Sequence, residues 1–455
     1  MEAGMAVKVL KSQRVVLGQE ICSASIVLKD GKIQDIVKDS DKNKLHLGQA
    51  MDFGDLVIMP GVIDSHVHVN EPGRTDWEGY WTATRSAAAG GITTIVDMPL
   101  NSIPPTTSLR HLQTKLQAAE GQCFVNTAFW GGVIPGNEQE LRPMISAGVP
   151  GFKCFMIHSG VDEFPHVTEK DLHKAMAELQ GTGSVMLFHA ELELEDLKQT
   201  GKSKADPCEY STFLDSRPEN MEVEAVQQVC QLCLRYQVRC HIVHLSSAKA
   251  LSITDAARKA GAPLTVETTH HYLNLAAEHI PRSATHFKCC PPIRSQVNQE
   301  KLWHALKEAR IDMVVSDHSP CTVGMKKLGT GNFLEAWGGI ASLQFGLPLF
   351  WTSAKKRGFS LQDVVMLLCQ KPAELSSLAS RKASLLPGYD ADIVIWDPDK
   401  EYEITEECVH HKNKLTPYLG CKLHGEVIAT IVAGKITYIK GQFAPEPPGQ
   451  LLFVK

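Results

Sequence analysis

The stretch Leu56–His68, LVIMPGVIDSHVH, decides the fold. Its apolar part, residues 56–63, has the length of a buried strand, and polar residues follow it directly. Further apolar runs alternate with helix-period segments through the middle of the chain. They are Ile92–Met98, Phe124–Phe129, Phe152–Phe155, Val185–Phe188, His241–Leu245, Leu264–Thr268 and Met313–Ser316. Such an alternation predicts an α/β fold, a (β/α)8 TIM-like barrel.

A doubly wound open sheet is the alternative architecture. It is disfavoured because no Gly-x-Gly-x-x-Gly motif follows an early strand. Both ends of the chain read as β structure, with a hairpin-turn dipeptide at Asp30-Gly31 and β-branched segments at Asp392–Trp396 and Val427–Tyr438. We therefore expect a small, discontinuous β-sandwich domain at residues 1–59 plus 385–455, and the barrel at residues 60–384.

Three helical segments have clear sequence signals. Residues 77–88 place Tyr80 and Trp81 on one apolar side, and the segment that begins at Thr168 resembles a capping box. Cys230 and Cys233 have CxxC spacing, but they recur at helical spacing with apolar neighbours and no second CxxC exists. We interpret this pair as a buried helix face and not as a metal site.

Composition excludes several classes of function. With 46 basic and 51 acidic residues the net charge is −5, and the absence of a basic stripe argues against nucleic-acid binding. No apolar run reaches the ~18 residues of a membrane span. Neither a signal peptide, an Arg-rich leader nor a C-terminal Ser-Lys-Leu is visible. The 13 cysteines in so long a chain favour a reduced, intracellular, soluble protein, with the cytoplasm, mitochondrion and peroxisome all left open.

Polar side chains that bind metals stand at the ends of several predicted strands. They are His66 and His68 after the first run, Lys153 in the fourth, His189 and His244 at the ends of the fifth and sixth, and Asp317 at the end of the eighth. Strand ends of a barrel meet at one mouth, and residues two apart on a strand share a face. The pattern therefore predicts a metal site.

Lys153 is the unusual member of this set, because a protonated lysine repels metal ions. Burial beside other cations lowers the pKa of a lysine and favours its neutral form. A neutral amine can add CO2 to give a carbamate, which changes its charge from positive to negative and supplies two oxygens. Such a group is able to bridge two metal ions, whereas the ordinary alternative is a buried stem with a solvated ammonium.

Two segments resemble the cyclic amidohydrolases, the family of dihydroorotases, dihydropyrimidinases, hydantoinases and allantoinases. They are PGVIDSHVH at residues 60–68 and GYDADIVIWD at residues 388–397, so that the resemblance covers nearly the whole chain. It implies a hydrolase with two divalent ions, normally zinc. One ion would be held by His66, His68 and Asp317 and the other by His189 and His244, with N6-carboxylated Lys153 and a hydroxide as bridges.

Within this family, four segments look like the allantoinase branch. They are residues 70–79, 97–106, 213–218 and 335–340. The resemblance implies hydrolysis of the cyclic amide of allantoin to allantoate in purine breakdown, with the bridging hydroxide as nucleophile and Asp317 as general base and then general acid. It also implies a homotetramer whose partner is a small-molecule substrate.

The candidate substrate contacts are Asn70, Cys290, Gly338 and Gly339. Dihydroorotases usually carry an arginine where Asn70 stands, and an amide suits a neutral ring such as allantoin. Relatives often carry Ser or Asn at the place of Cys290, in a segment that tends to bind the ring amide through its backbone. The alternatives are a turn role for Asn70 and plain loop flexibility for the two glycines.

Three other functions compete with this interpretation. A dihydropyrimidinase or hydantoinase would use the same centre on a different ring, and parallel assays would separate it from an allantoinase. A non-catalytic scaffold relative would tend to lose metal ligands, but all six positions are filled here. A mononuclear, deaminase-like amidohydrolase is disfavoured by the lysine on the fourth strand.

Overall fold

The computed structural model describes residues 2–40, 50–194 and 205–454. The strands are β1 (Val9–Leu17), β2 (Glu20–Lys29), β3 (Lys32–Lys38), β4 (Met51–Asp52), β5 (Val57–Pro60), β6 (Val62–Val67), β7 (Ile92–Asp97), β8 (Asn126–Phe129), β9 (Gly131–Gly132), β10 (Gly151–Phe155), β11 (Val185–His189), β12 (Arg239–Ile242), β13 (Leu264–Thr269), β14 (Met313–Val315), β15 (Ile393–Glu403), β16 (Lys422–Val432), β17 (Lys435–Ile439) and β18 (Gln442–Phe443).

The α-helices follow the barrel strands and cover them. They are α1 (Tyr80–Ala89), α2 (Leu109–Ala119), α3 (Leu141–Ser146), α4 (Glu169–Leu179), α5 (Tyr210–Ser216), α6 (Asn220–Tyr236), α7 (Leu251–Lys259), α8 (His270–Asn274), α9 (Gln296–Lys307), α10 (Gly346–Lys355), α11 (Leu361–Val365) and α12 (Lys371–Leu375). In the described part of the chain, no helix combines the length and the apolar character needed to cross a membrane.

The central strands form a closed parallel barrel, as the sequence predicts. Strands β6, β7 and β8 pair in parallel, and so do β9 to β14 in chain order. A single residue separates β8 from β9, so that together they act as one strand of the barrel. A parallel bridge between Val67 at the end of β6 and His318 just after β14 joins the last barrel strand to the first. The barrel closes on itself and brings the C-terminal ends of its strands to one mouth.

The first predicted strand differs from the structure. The run Leu56–Ile63 contains two strands, β5 and β6, which belong to different sheets and are separated at Gly61. A Cβ at Gly61 would lie 2.2 Å from side-chain atoms of Thr93, so only glycine permits this close crossing. The barrel strand β6 begins after this crossing and extends to Val67, so His66 lies inside the strand.

The strands at the two chain ends form a separate sheet. Its order is β18-β17-β16-β15-β5-β1-β2-β3, with β4 beside β1. Residues from both halves of the sheet, among them Ile26, Ile395 and Ile431, pack into one apolar core, so the sheet encloses its own interior. The β structure expected at both termini is confirmed, whereas the exact boundaries at residues 59/60 and 384/385 stay a prediction.

The helix signals have mixed outcomes. Thr168 caps α4 in a capping box with Asp171, and α6 buries Cys230 and Cys233, as predicted. The prediction for α1 was wrong at Trp81, which is 42% exposed and lies edge-on against a neighbouring ring. Small residues of α1 face the barrel instead, since they allow the helix to approach the strands closely.

Candidate metal centre

The six side chains predicted as metal ligands lie together at the C-terminal mouth of the barrel. They are His66 and Lys153 within β6 and β10, His189 at the end of β11, and His68, His244 and Asp317 one or two residues beyond β6, β12 and β14. None of them is more than 6% exposed. Residues far apart in the sequence are thus collected into one buried site.

Asp317 is close to His66 and His68, the two histidines at the end of β6. Its Oδ1 lies 3.2 Å from Nε2 of His66 and 3.4 Å from Nε2 of His68. The ring centroids of His66 and His244 are 5.4 Å apart, and those of His244 and His189 are 4.6 Å apart. Ligand atoms of His66, His244 and Asp317 lie within 4.8 Å of one another, so these side chains form one compact cluster of possible metal ligands.

The backbone at the site adopts conformations that ordinary residues avoid. Asn70, His244 and Asp317 have φ angles of 67°, 37° and 44°, in the left-handed region. Such conformations cost free energy, and they persist where the surrounding structure imposes them, often at functional sites. They turn the chain sharply just beyond the strands and hold these side chains at the mouth.

The residues present fit a divalent metal. Four buried nitrogen atoms have no hydrogen-bond partner among the described residues: Nε2 of His66, Nζ of Lys153, Nδ1 of His189 and Nδ1 of His244. Buried polar atoms are rarely left unpaired, so a cluster of them indicates an additional partner. Imidazole nitrogens with a carboxylate oxygen are the donors that zinc prefers.

Burial sets the protonation of the cluster. It lowers the pKa of Lys153 to about 8, although the charges of Asp317 and Glu267 oppose the shift. It also lowers the pKa of His68 to about 4. Burial alone would raise the pKa of Asp317, but His66 and His68 outweigh it and hold this pKa well below its usual range. Neutral imidazoles and an ionised carboxylate are the forms that bind metal ions.

Glu267, in the middle of β13, holds the histidines and was missed in the sequence analysis. Its carboxylate lies 2.5 Å from Nδ1 of His66 and 3.0 Å from Nε2 of His241, and it accepts a 3.2 Å hydrogen bond from the backbone N–H of His244. Burial alone would raise its pKa, but His66 and His241 outweigh this effect and lower the pKa to about 2. An acidic residue inside the apolar run Leu264–Thr268 was the available signal.

Glu191 plays the same part for His189. Its Oε2 lies 2.7 Å from Nε2 of His189, and Arg217 pairs with the same carboxylate. Carboxylates in this position fix the tautomer and orientation of a metal-binding imidazole. The Nε2 atom of His189 is thereby occupied, which leaves its Nδ1, unpartnered in the described part of the chain, available to bind another group.

A cleft of about 740 Å³ opens beside this cluster. Its lining includes His189, Arg217, Cys290, Trp337 and Gly338. Two of the four predicted substrate contacts, Cys290 and Gly338, therefore line the same cleft as a predicted metal ligand. A slightly larger cleft lies against the terminal sheet, and none of the predicted site residues lines it.

The other two predicted contacts, Asn70 and Gly339, are not part of this lining. Asn70 is 1% exposed, and its Nδ2 donates a 3.3 Å hydrogen bond to the carbonyl of Pro320 while Oδ1 has no partner among the described residues. Gly339 packs so closely that an added Cβ would lie 2.4 Å from the carbonyl of Ser319. Gly339 thus allows the backbone at this position to pack closely against that of Ser319. The Oδ1 atom of Asn70 remains available to accept a hydrogen bond.

Comparison with known proteins assigns the chain to a class. The sequence pattern of the Amidohydrolase family matches residues 57–437, so the chain belongs to the amidohydrolase family and is a hydrolase. It is 60% identical to the mitochondrial allantoinase of Aquarana catesbeiana over 84% of this chain and 78% of that protein. It is 43% identical to the allantoinase of Saccharomyces cerevisiae over 98% of this chain and 99% of that one.

The solved structures agree with this assignment. The L-hydantoinase (dihydropyrimidinase) of Arthrobacter aurescens superimposes with a TM-score of 0.93 and 31% sequence identity, covering 99% of this chain and all of that one (100%). The barrel and the terminal sheet are therefore shared with a cyclic-amide hydrolase, and the α/β fold predicted from the sequence is confirmed.

Proposed function

We propose that this protein is an allantoinase, which hydrolyses the cyclic amide of allantoin to allantoate. The high identity to allantoinases over most or all of the chain supports this substrate. The observation that carries the chemistry is the convergence of four histidines, a carboxylate and an unpartnered lysine nitrogen at one barrel mouth.

The proposal includes two divalent metal ions, with zinc as the first choice. His66, His68 and Asp317 would hold one ion and His189 and His244 the other, with N6-carboxylated Lys153 between them. The unpartnered Nζ of Lys153 and its lowered pKa support this modification, because only the neutral amine reacts with CO2. When bound, the ions would supply Lewis-acid polarisation of the ring carbonyl and would lower the pKa of a water molecule.

Asp317 would move the proton. Water adds to the ring carbonyl carbon, and the carboxylate of Asp317 accepts the proton that this water loses. The same carboxyl then donates the proton to the ring nitrogen, so that the C–N bond breaks and the nitrogen leaves as the neutral NH2 of a ureido group, with a carboxylate on the carbon side. The lowered pKa of Asp317 means that its carboxyl is ionised before the reaction, which is the form that has an oxygen free to receive a proton.

Four residues would hold the ring of the substrate: Asn70, Cys290, Gly338 and Gly339. The unpartnered Oδ1 of Asn70 is an acceptor for an N–H group of a neutral ring. Cys290 and Gly338 line the cleft beside His189, where backbone groups would meet the ring amide. Arg217 and Lys288 also line it.

A dihydropyrimidinase or hydantoinase activity is the second candidate, and the structural match to such an enzyme favours it. Parallel assays with racemic allantoin, dihydrouracil and hydantoin, with metal content measured on the same sample, decide between the two. We expect allantoate as the main product. Faster turnover of dihydrouracil or hydantoin than of allantoin would favour the second candidate. A protein that is inactive and free of metal would favour a non-catalytic scaffold protein.

The homotetramer implied by the family resemblance belongs to the same proposal. Light scattering coupled to size-exclusion chromatography measures the mass in solution and tests it. Four chains of 50.0 kDa are expected in each particle.

A further inference from the structure

Two stretches of backbone form one wall of the substrate cleft. The first contributes Lys288 and Cys290, and the second is residues 334–338, which includes Trp337 and Gly338. They come from different loops of the barrel, and they meet through a hydrogen bond of 2.9 Å from the N–H of Gly339 to the carbonyl of Lys288. The shape of the cleft depends on how these two stretches are held together.

A buried lysine lies behind this wall. Lys326 is 4% exposed, and its Nζ donates hydrogen bonds to the carbonyls of Lys288 at 3.1 Å, Trp337 at 3.0 Å and Gly339. An ammonium has three donors, so each of them is used. Among the described residues these carbonyls, and no carboxylate, are its partners, which makes the lysine a link between two backbones.

A second lysine ties the same stretches from the other side. Nζ of Lys288 donates to the carbonyls of Ala336 at 2.6 Å and Leu334 at 3.3 Å. The side chain of Lys288 therefore binds the second stretch while its own carbonyl receives Lys326. The two lysines together make five hydrogen bonds, all of them to backbone carbonyls of the two stretches.

The fit between the stretches tolerates little movement. A Cβ at Gly338 would lie 2.7 Å from Sγ of Cys290, so any other residue at this position would force the thiol to move. Because the thiol and the glycine backbone are in contact across the wall, a small shift of either stretch changes the groups presented to the substrate.

We propose that Lys326 is a positioning residue that fixes the substrate-binding wall of the cleft by tying residues 288–290 to residues 337–339. Its effect on substrate rests on the proposed allantoinase function, whereas its effect on the backbone does not. Replacing the ammonium by an apolar group leaves the buried carbonyls of Trp337 and Gly339 without a donor and removes one of the two donors to the carbonyl of Lys288, so the two stretches are held together less firmly.

The test compares Lys326→Met with Lys382→Met, a second buried lysine that pairs with Asp390 and Asp392 in the terminal sheet. We expect Lys326→Met to raise the KM for allantoin by about tenfold or more, with kcat within about threefold of wild type, because contacts made equally in ground and transition states change KM. Metal content should equal that of the wild type. Lys382→Met should lose thermal stability and keep its KM.

Hydrogen exchange of the ligand-free protein gives a readout that needs no substrate. In Lys326→Met the amides of residues 337–340 should exchange about tenfold faster or more, while those of the terminal sheet keep their rates. If wild-type protein fails to hydrolyse allantoin but this exchange accelerates, the proposed function fails and the link stands. If wild type hydrolyses allantoin, and KM and exchange in the variant are unchanged, the link is refuted.

A second variant covers the case in which Lys326→Met does not fold. Lys326→Ala leaves a cavity that a small alkylammonium ion such as propylammonium fits, and its addition during refolding should restore both exchange protection and KM. An uncharged molecule of similar size should restore neither the exchange protection nor the KM. If Lys326→Ala regains exchange protection whether or not propylammonium is present, or if it has the wild-type KM without propylammonium, the proposal is overturned.

Discussion

Nδ1 of His66 lies 2.5 Å from a carboxylate oxygen of Glu267, although 201 positions separate the two residues in the sequence. The same carboxylate reaches His241 and the backbone N–H of His244. The buried carboxylate of Glu267 therefore sets the orientation of His66, a predicted ligand in β6. It also holds the backbone of His244, a predicted ligand that follows β12. We therefore expect the proposed metal centre to depend on Glu267 as well as on the residues that would touch the ions.

Glu267→Gln should weaken metal binding. The amide keeps the shape of the side chain but loses the charge that holds His66, and loss of such partners typically costs about 10- to 100-fold in metal affinity or activity. Elemental analysis of the purified protein and kcat/KM for allantoin measure the effect. Asp392→Asn, which removes a buried charge of the terminal sheet, should keep its metal. Wild-type metal content in Glu267→Gln would contradict this role.

Lys153→Ala should remove the bridge between the ions. We expect the variant to purify with little metal and to lose nearly all activity, because the alanine supplies no oxygen to bridge the ions and the lysine side chain is fully buried among the predicted ligands. A short carboxylic acid such as acetate should restore part of the activity by supplying the two oxygens of the missing carbamate. Normal metal content and turnover without the acid would refute the bridge.

Asp317→Asn should separate metal binding from catalysis. The remaining histidines should retain at least one ion, while the amide is unable to accept a proton, so kcat should fall by about 10²- to 10⁴-fold. Metal analysis and turnover with allantoin on the same preparation measure both quantities. A rate near that of the wild type would remove Asp317 from the proton transfer.

The terminal sheet should show a pH-dependent stability that arises from Asp390. Burial alone would raise the pKa of Asp390, but the Lys382 charge and the Lys32 hydrogen bond outweigh it, so the pKa is lowered. A carboxyl with a lowered folded-state pKa stabilises the fold above its unfolded pKa of ~3.9, and this contribution is lost as the pH falls through the folded value. The stability gap between wild type and Lys382→Met should be about 3 kcal/mol near neutral pH and should shrink below about pH 4.

Thermal unfolding of both proteins across this pH range measures that gap. The matched control is Lys371→Met, which loses an exposed ion pair with Glu374 and should cost about 0.5 kcal/mol or less. A gap for Lys382→Met that stays constant into acid would show that its contribution does not depend on the charge of Asp390.

Local sequence patterns predicted the parts of the site that depend on local geometry. His66 and His68 are two apart after an apolar run, and this spacing predicts a shared face whatever the rest of the chain does. His189, His244 and Asp317 were found in the same way, because each closes an apolar run and the barrel brings such ends together.

The features that the sequence did not predict depend on contacts between distant segments. Glu267 binds residues that no short window contains, and Lys326 binds backbone carbonyls, which carry no sequence signal. The run Leu56–Ile63 is continuous in hydrophobicity, so its division between two sheets is visible only through the contact of Gly61 with Thr93. Helical spacing predicted Trp81 on the same apolar side as Tyr80, but in the structure small residues such as Ala83 and Ala87 share the buried face with Tyr80 and Trp81 does not.

Diffraction at the zinc absorption edge, on crystals grown from protein that hydrolyses allantoin, tests the central claim most directly. The account predicts two anomalous peaks among the side chains of His66, His68, His189, His244 and Asp317, with continuous density for a carboxylated Nζ of Lys153 between them. Active crystals with no metal peaks at any divalent-metal edge, and with the Lys153 amine unmodified, would contradict it.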